Sequence, residues 1–166
     1  MSQYIRIAID AMGGDHGAAE VVPGGLDWAR ENPGDELILV GDEAIVRSLV
    51  GTPLPGNVRI AHGPDVIGMD EHPATALRER KGASILVATN LVRDGEADAV
   101  VLSAVAGPEV PFCDIERAFT VVQQHCGQAQ VVLGTSVEPG MGGRNIGLGI
   151  AVLKIDECRL PIFQHG

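Results

Sequence analysis

The sequence predicts an α/β fold with a mostly parallel sheet and a C-terminal antiparallel hairpin. Three observations carry that expectation. Short apolar runs alternate with segments of helical spacing through the first hundred or so residues, the pattern of βαβ units with right-handed crossovers. The apolar residues are Val, Ile, Leu and Ala, with one Trp, one Tyr and three Phe in the whole chain, which suits parallel strands buried on both faces. Near the C-terminus, two β-rich runs flank a glycine-rich segment of turn residues.

In chain order, Tyr4–Ile9 reads as the first strand and Ala18–Glu31 as a helix ended by Asn32-Pro33-Gly34. Leu37–Val40 reads as a strand, and Glu43–Val50 as a short helix stopped by Gly51. Val58–Ala61 is a strand followed by an irregular loop, His62–His72. Pro73–Arg93 is expected as one long helix, with proline at its first position, where a missing N–H costs little. Ala99–Ser103 is a strand. Cys113–Cys126 is an amphipathic helix with Ile115, Ala118, Phe119 and Val122 on one face, and His125 reads as part of its end. Ala129–Val137 and Ile146–Ile155 are the hairpin strands, joined through Glu138–Asn145.

Composition narrows the function. A chain of 166 residues can bury roughly two-thirds of its unfolded surface. The formal net charge of −10 opposes nucleic acid and anionic membrane surfaces. Arg78, Arg80 and Lys81 form the tight basic cluster through which an acidic partner would have to bind. Cys113, Cys126 and Cys158 are odd in number and scattered, against a disulfide framework or a structural zinc site. There is no apolar run near 20 residues and no signal-peptide pattern, so a cytoplasmic protein without a membrane span is expected.

The chemistry-bearing segment is Asp10-Ala11-Met12-Gly13-Gly14-Asp15-His16, a strand end running into a glycine turn. Ligands of α/β proteins bind at the carboxyl ends of strands. Gly13 and Gly14 allow close backbone approach, and the start of the next helix favours an anion such as phosphate. Asp10 and Asp15 work against an anion unless they position a group or hold a metal. A plainer reading is a tight turn with Asp15 as helix cap. A magnesium- or nucleotide-binding use of Asp10 and Asp15 is a third alternative.

Three blocks carry a family resemblance. They are Asp10–His16; Leu39-Val40-Gly41-Asp42 with the helix after it; and Val66 to Arg78, continued by Leu91 to Ala99. In order and spacing, residues 5–101 resemble the N-terminal part of the PlsX phosphate acyltransferases. The resemblance implies a three-layer α/β sandwich and transfer of a fatty acyl group from acyl carrier protein to inorganic phosphate. The product is an acyl phosphate that feeds phospholipid synthesis; no cofactor or metal is implied. Asp10, Gly13, Gly14, Asp15 and His16 would line the phosphate and substrate site. Arg78 and Lys81 would neutralise phosphate or dock the acidic carrier protein. Asp70 and His72 are placed to move a proton or position a group. The family's serine–alanine–glycine–asparagine–threonine–glycine block is replaced by Ser103-Ala104-Val105-Ala106-Gly107-Pro108.

Residues 102–154 are similar, more weakly, to the final helix–strand–strand part of the FtsZ/tubulin-like C-terminal domain. The similar residues are Ala106-Gly107-Pro108-Glu109, Asp114–Ala118 and Val132–Met141. The glycine-rich nucleotide loop and acidic catalytic loop of that family are absent, so no GTPase is expected. The expectation is one α/β domain with a junction near 102–104. The alternative to an acyltransferase is a non-catalytic chimeric scaffold, self-associating as a homo-oligomer.

Overall fold

A computed structural model describes residues 4–13, 17–67, 71–106, 112–125, 130–137 and 146–153. Its elements are β1 (Arg6–Asp10), α1 (Ala18–Glu31), β2 (Glu36–Gly41), α2 (Glu43–Val50), β3 (Val58–His62), α3 (Pro73–Glu79), α4 (Ser84–Arg93), β4 (Ala99–Ala106), α5 (Phe112–His125), β5 (Gln130–Val137) and β6 (Ile146–Leu153). The strand order is β3-β2-β1-β4-β6-β5. The first four strands run parallel, with Ile9 opposite Leu39 on one side and Val101 on the other. Strands β6 and β5 continue the sheet beyond β4 in antiparallel pairing.

Alternation along β2 sets the layers. Leu37 and Leu39 pack with Ala18, Val22, Leu26 and Ala29 of α1 and Val46 of α2. Ile38 and Val40 point the other way, to Leu77 of α3, Leu86, Ala88 and Val92 of α4, and Val121 and Val122 of α5. All four β2 side chains are fully buried, as a parallel sheet covered on both faces requires. The fold is therefore a three-layer α/β arrangement. Gly25 lets α1 lie close: a Cβ there would sit 3.2 Å from Leu37 Cδ2 and 3.3 Å from Leu39 Cδ2.

The amino edge of the sheet is tied by charge. Arg6 grips Asp98 through two guanidinium contacts, 3.0 Å and 2.8 Å, and its backbone N–H donates to the same carboxylate at 2.9 Å. A bidentate fork of this kind fixes geometry as well as adding energy. It pins the starts of β1 and β4 together and leaves the carboxyl edge as the open one.

Helix α2 begins as its sequence dictates. The Asp42 carboxylate accepts from the N–H groups of Ala44 (2.9 Å) and Ile45 (3.1 Å), and Gly51 closes the helix at φ +77. Asp42→Ala is expected to cost about 1 kcal/mol, the usual worth of such a cap; chemical denaturation with an unchanged m-value would show it.

The expected helix over Pro73–Arg93 is two helices. It breaks because Asp65, far back in the chain, pairs with Ala83 as an isolated parallel bridge. The Asp65 N–H donates to the Gly82 carbonyl at 3.2 Å, and the Ser84 N–H donates to the Asp65 carbonyl at 3.0 Å. A Cβ on Gly82 would fall 2.8 Å from the Asp65 carboxylate, so only glycine fits this close approach without displacing that side chain. The helix cap expected at Asp15 also shifts: the N-cap of α1 is Gly17, at φ +52 and ψ −138, a conformation suited to glycine.

Candidate functional site

Strand order reverses between β1 and β4. The chain steps from β1 outward to β2 and β3, then returns to lay β4 on the other side of β1. Ligands in open α/β sheets bind outside the carboxyl ends of the strands at such a reversal. Asp10 is the last residue of β1 and sits there.

Asp10 is 4% exposed. Its carboxylate accepts from the Met12 N–H at 3.1 Å, the turn in which an Asp side chain bonds the backbone two residues on. It also bonds the Gly13 N–H and the Ser84 hydroxyl. Burial is the largest influence on its acidity and raises the pKa above the ordinary carboxylate value, while these three bonds pull it down. The donors spent on Asp10 make it a staple that shapes the glycine turn from within. The turn is held from outside as well. The Ala11 N–H donates to the Val40 carbonyl at 2.8 Å. Met12 packs over Gly41, where a Cβ would come within 2.9 Å of the Met12 thioether.

Ser84 is the residue that reading the sequence missed. It is 3% exposed and opens α4, so its hydroxyl reaches Asp10 only because the expected long helix is broken. A serine directly after Lys81-Gly82-Ala83 was the available signal, since Ser is favoured at helix starts. Next along the edge, His62 ends β3, and its Nδ1 accepts from the Glu43 N–H at 3.3 Å. Gly63 follows, donating to the Gly41 carbonyl at 2.9 Å.

The remaining sequence candidates distribute as follows. Gly13 is half-buried in the turn beside Asp10. Gly14, Asp15, His16 and Asp70 lie outside the described residues. Lys81 is exposed in the connection between α3 and α4. Arg78 lies on α3 and lines a cleft of about 450 Å³ with His72, Ala74, Thr75 and Arg117 of α5. The structure thus joins Asp10 to Ser84 and Gly13, and Arg78 to Arg117 and His72. Among the described residues, no helix is long and apolar enough to cross a membrane.

Comparison with known proteins places this edge in a family. The family described as "Fatty acid synthesis protein" matches residues 5–110, ending a little past the expected junction near 102–104. The phosphate acyltransferase of Desulforamulus reducens is 48% identical over 107 residues, covering 64% of this chain and 32% of that protein. Those of Myxococcus xanthus and Pelotomaculum thermopropionicum are 46% and 50% identical over 104 residues, each covering 62% of this chain and 30% of the relative. The chain spans about a third of the length of these curated relatives. The matched segment carries β1 to β4 and with them the strand-order reversal, and on that match the chain belongs to the fatty acid synthesis protein family, that of the PlsX phosphate acyltransferases.

Proposed function

We propose that this chain supplies the N-terminal part of a phosphate acyltransferase site. An acyl group passes there from the thioester of acyl carrier protein to inorganic phosphate. A phosphate oxygen attacks the thioester carbonyl, the carbon–sulfur bond breaks, and the phosphate proton leaves with the thiol. The products are an acyl phosphate and free carrier protein, the former a precursor for phospholipid synthesis. The observation that carries this reading is the near-half identity to phosphate acyltransferases across the segment that builds the strand-order reversal.

The residues present suit an anion at the turn in a particular way. Gly13 offers a path free of side chains to the backbone. Asp10 acts as a positioning residue that keeps the turn in shape through Met12, Gly13 and Ser84. Lys81 adds positive charge near the start of α4.

The test is acyl-phosphate formation from acyl carrier protein thioester and inorganic phosphate, trapped with hydroxylamine as the hydroxamate. Phosphate-dependent hydroxamate is expected, with a rate that rises more than linearly with protein concentration if a second copy completes the site. No hydroxamate from a sample shown by circular dichroism to be folded would overturn the reading in favour of a non-catalytic scaffold.

A further inference from the structure

We propose that the cleft between α3 and α5 is an anion site for phosphate, separate from the glycine turn and independent of the acyl-transfer reading. Its walls come from two parts of the chain, one inside the matched residues 5–110 and one beyond them. His72, Ala74, Thr75 and Arg78 belong to α3 and its cap, inside the family match, whereas Arg117 belongs to α5, outside it.

Local geometry explains why these side chains meet. Ala74, Thr75 and Arg78 are spaced i, i+1 and i+4, and the pairs three and four apart share a helix face. Leu77, three residues after Ala74 and buried like it, is 2% exposed and anchors α3 in the core. On α5, Val121 and Val122 are buried and Ala118 and Phe119 pack against the same core, which sets exposed Arg117 at the margin of the packed stripe. The two helices therefore turn their polar margins toward each other across the cleft.

The chemistry of the walls selects an anion. Two guanidinium groups, an imidazole and a hydroxyl line the cleft, and no carboxylate is among its described lining residues. In a chain with 22 acidic and 12 basic residues, that is a local reversal of the overall charge. Guanidinium forks match phosphate oxygens in pairs, and Thr75 and His72 add donors of shorter reach. The volume, about 450 Å³, lies within the range of roughly 300–1,000 Å³ usual for small-molecule pockets. It admits a free phosphate or the phosphate of a small monoester. His72 and Arg117 also hold other interactions within the protein, and Arg78 supplies a further cation.

The experiment is an amide NMR titration of the whole chain with inorganic phosphate at constant ionic strength, repeated with methyl phosphate. Thr75, Arg78 and Arg117 amides are expected to shift together on one saturable curve in the millimolar range. Arg78→Gln and Arg117→Gln should each weaken that curve by roughly fivefold, the scale of an exposed charge pair, and the double variant should abolish it. Lys81→Gln, which does not line the cleft, and Asp10→Asn, which alters the glycine turn, should leave it in place. Equal binding of methyl phosphate would assign the site to a phosphate monoester, and its exclusion would assign it to free phosphate. Phosphate shifts that are absent, non-saturable or unchanged in both arginine variants would overturn the proposal, whatever the outcome of the hydroxamate assay.

Discussion

Asp10→Ala is expected to destabilise the chain by about 3 kcal/mol or more, because it strands the Met12 and Gly13 N–H groups and the Ser84 hydroxyl in a buried place. Asp10→Asn keeps an acceptor for Met12 and offers an amide N–H to Ser84, so its cost should stay within about 1 kcal/mol. The two variants also separate by pH. Burial raises the folded-state pKa of Asp10 above its unfolded value, so the folded chain holds this proton more tightly than the unfolded chain does. Stability from this group is therefore greatest in acid. It falls as pH rises from the ordinary carboxylate value through the raised one, and then levels off. Asparagine does not titrate, so the stability of Asp10→Asn relative to the parent should climb across that window. Urea midpoints measured at several pH values will show the climb; a flat or falling difference would contradict the buried, proton-retaining carboxyl.

The second large effect is expected at Gly63. A Cβ there would lie 2.9 Å from the Ser84 Cα, with Val40 Cγ1 and Val87 Cβ both at 3.4 Å. The nearest atom is backbone and cannot rotate aside. Ser84 is further pinned by the Asp65 carbonyl and by Asp10, so relief must push α4 away from the sheet edge. Gly63→Ala should cost about 2–3 kcal/mol, the scale of overpacking a well-filled interior. Gly24→Ala is the contrast: it sits in α1 with nothing within 4 Å of its added Cβ, and replacing a helical glycine should gain about 1 kcal/mol. Thermal unfolding of the pair decides the matter. If Gly63→Ala matched the parent, the close approach of β3's end to α4 would be wrong. Because Gly63 acts through Ser84, its variant should also slow hydroxamate formation where Gly24→Ala does not.

What could be read in advance was whatever neighbouring residues decide together. Helix α2 runs over the expected Glu43–Val50 because Asp42 caps it and Gly51 stops it, both within a few residues of the element they bound. The same holds for α1, closed at Asn32. The parallel run of β1 to β4 followed from alternation alone, whereas the strand order, and with it the reversal at β1, depends on long-range pairing that alternation does not specify. The division between α3 and α4 was not legible, since it depends on Asp65 reaching Ala83 across an intervening helix. Helical spacing runs straight through Arg80–Ala83 and hides the break. The same blindness concealed Ser84 as the partner of Asp10, and the meeting of Arg78 with Arg117. Asp10 itself was found by its place at the end of a strand, but its work as an internal staple depends on burial, which residue type does not reveal.

The alternation along β2 has a consequence for how this chain can change. Leu37 and Leu39 belong to one layer and Ile38 and Val40 to the other, so the sheet is a partition that passes backbone constraints but keeps side-chain volume on its own side. A residue that shrinks beneath α1 can be compensated only by growth beneath α1 or α2, never by anything under α4. The two halves of the interior are thus free to drift at separate rates, and α5 could be fitted to one of them without the other being altered at all.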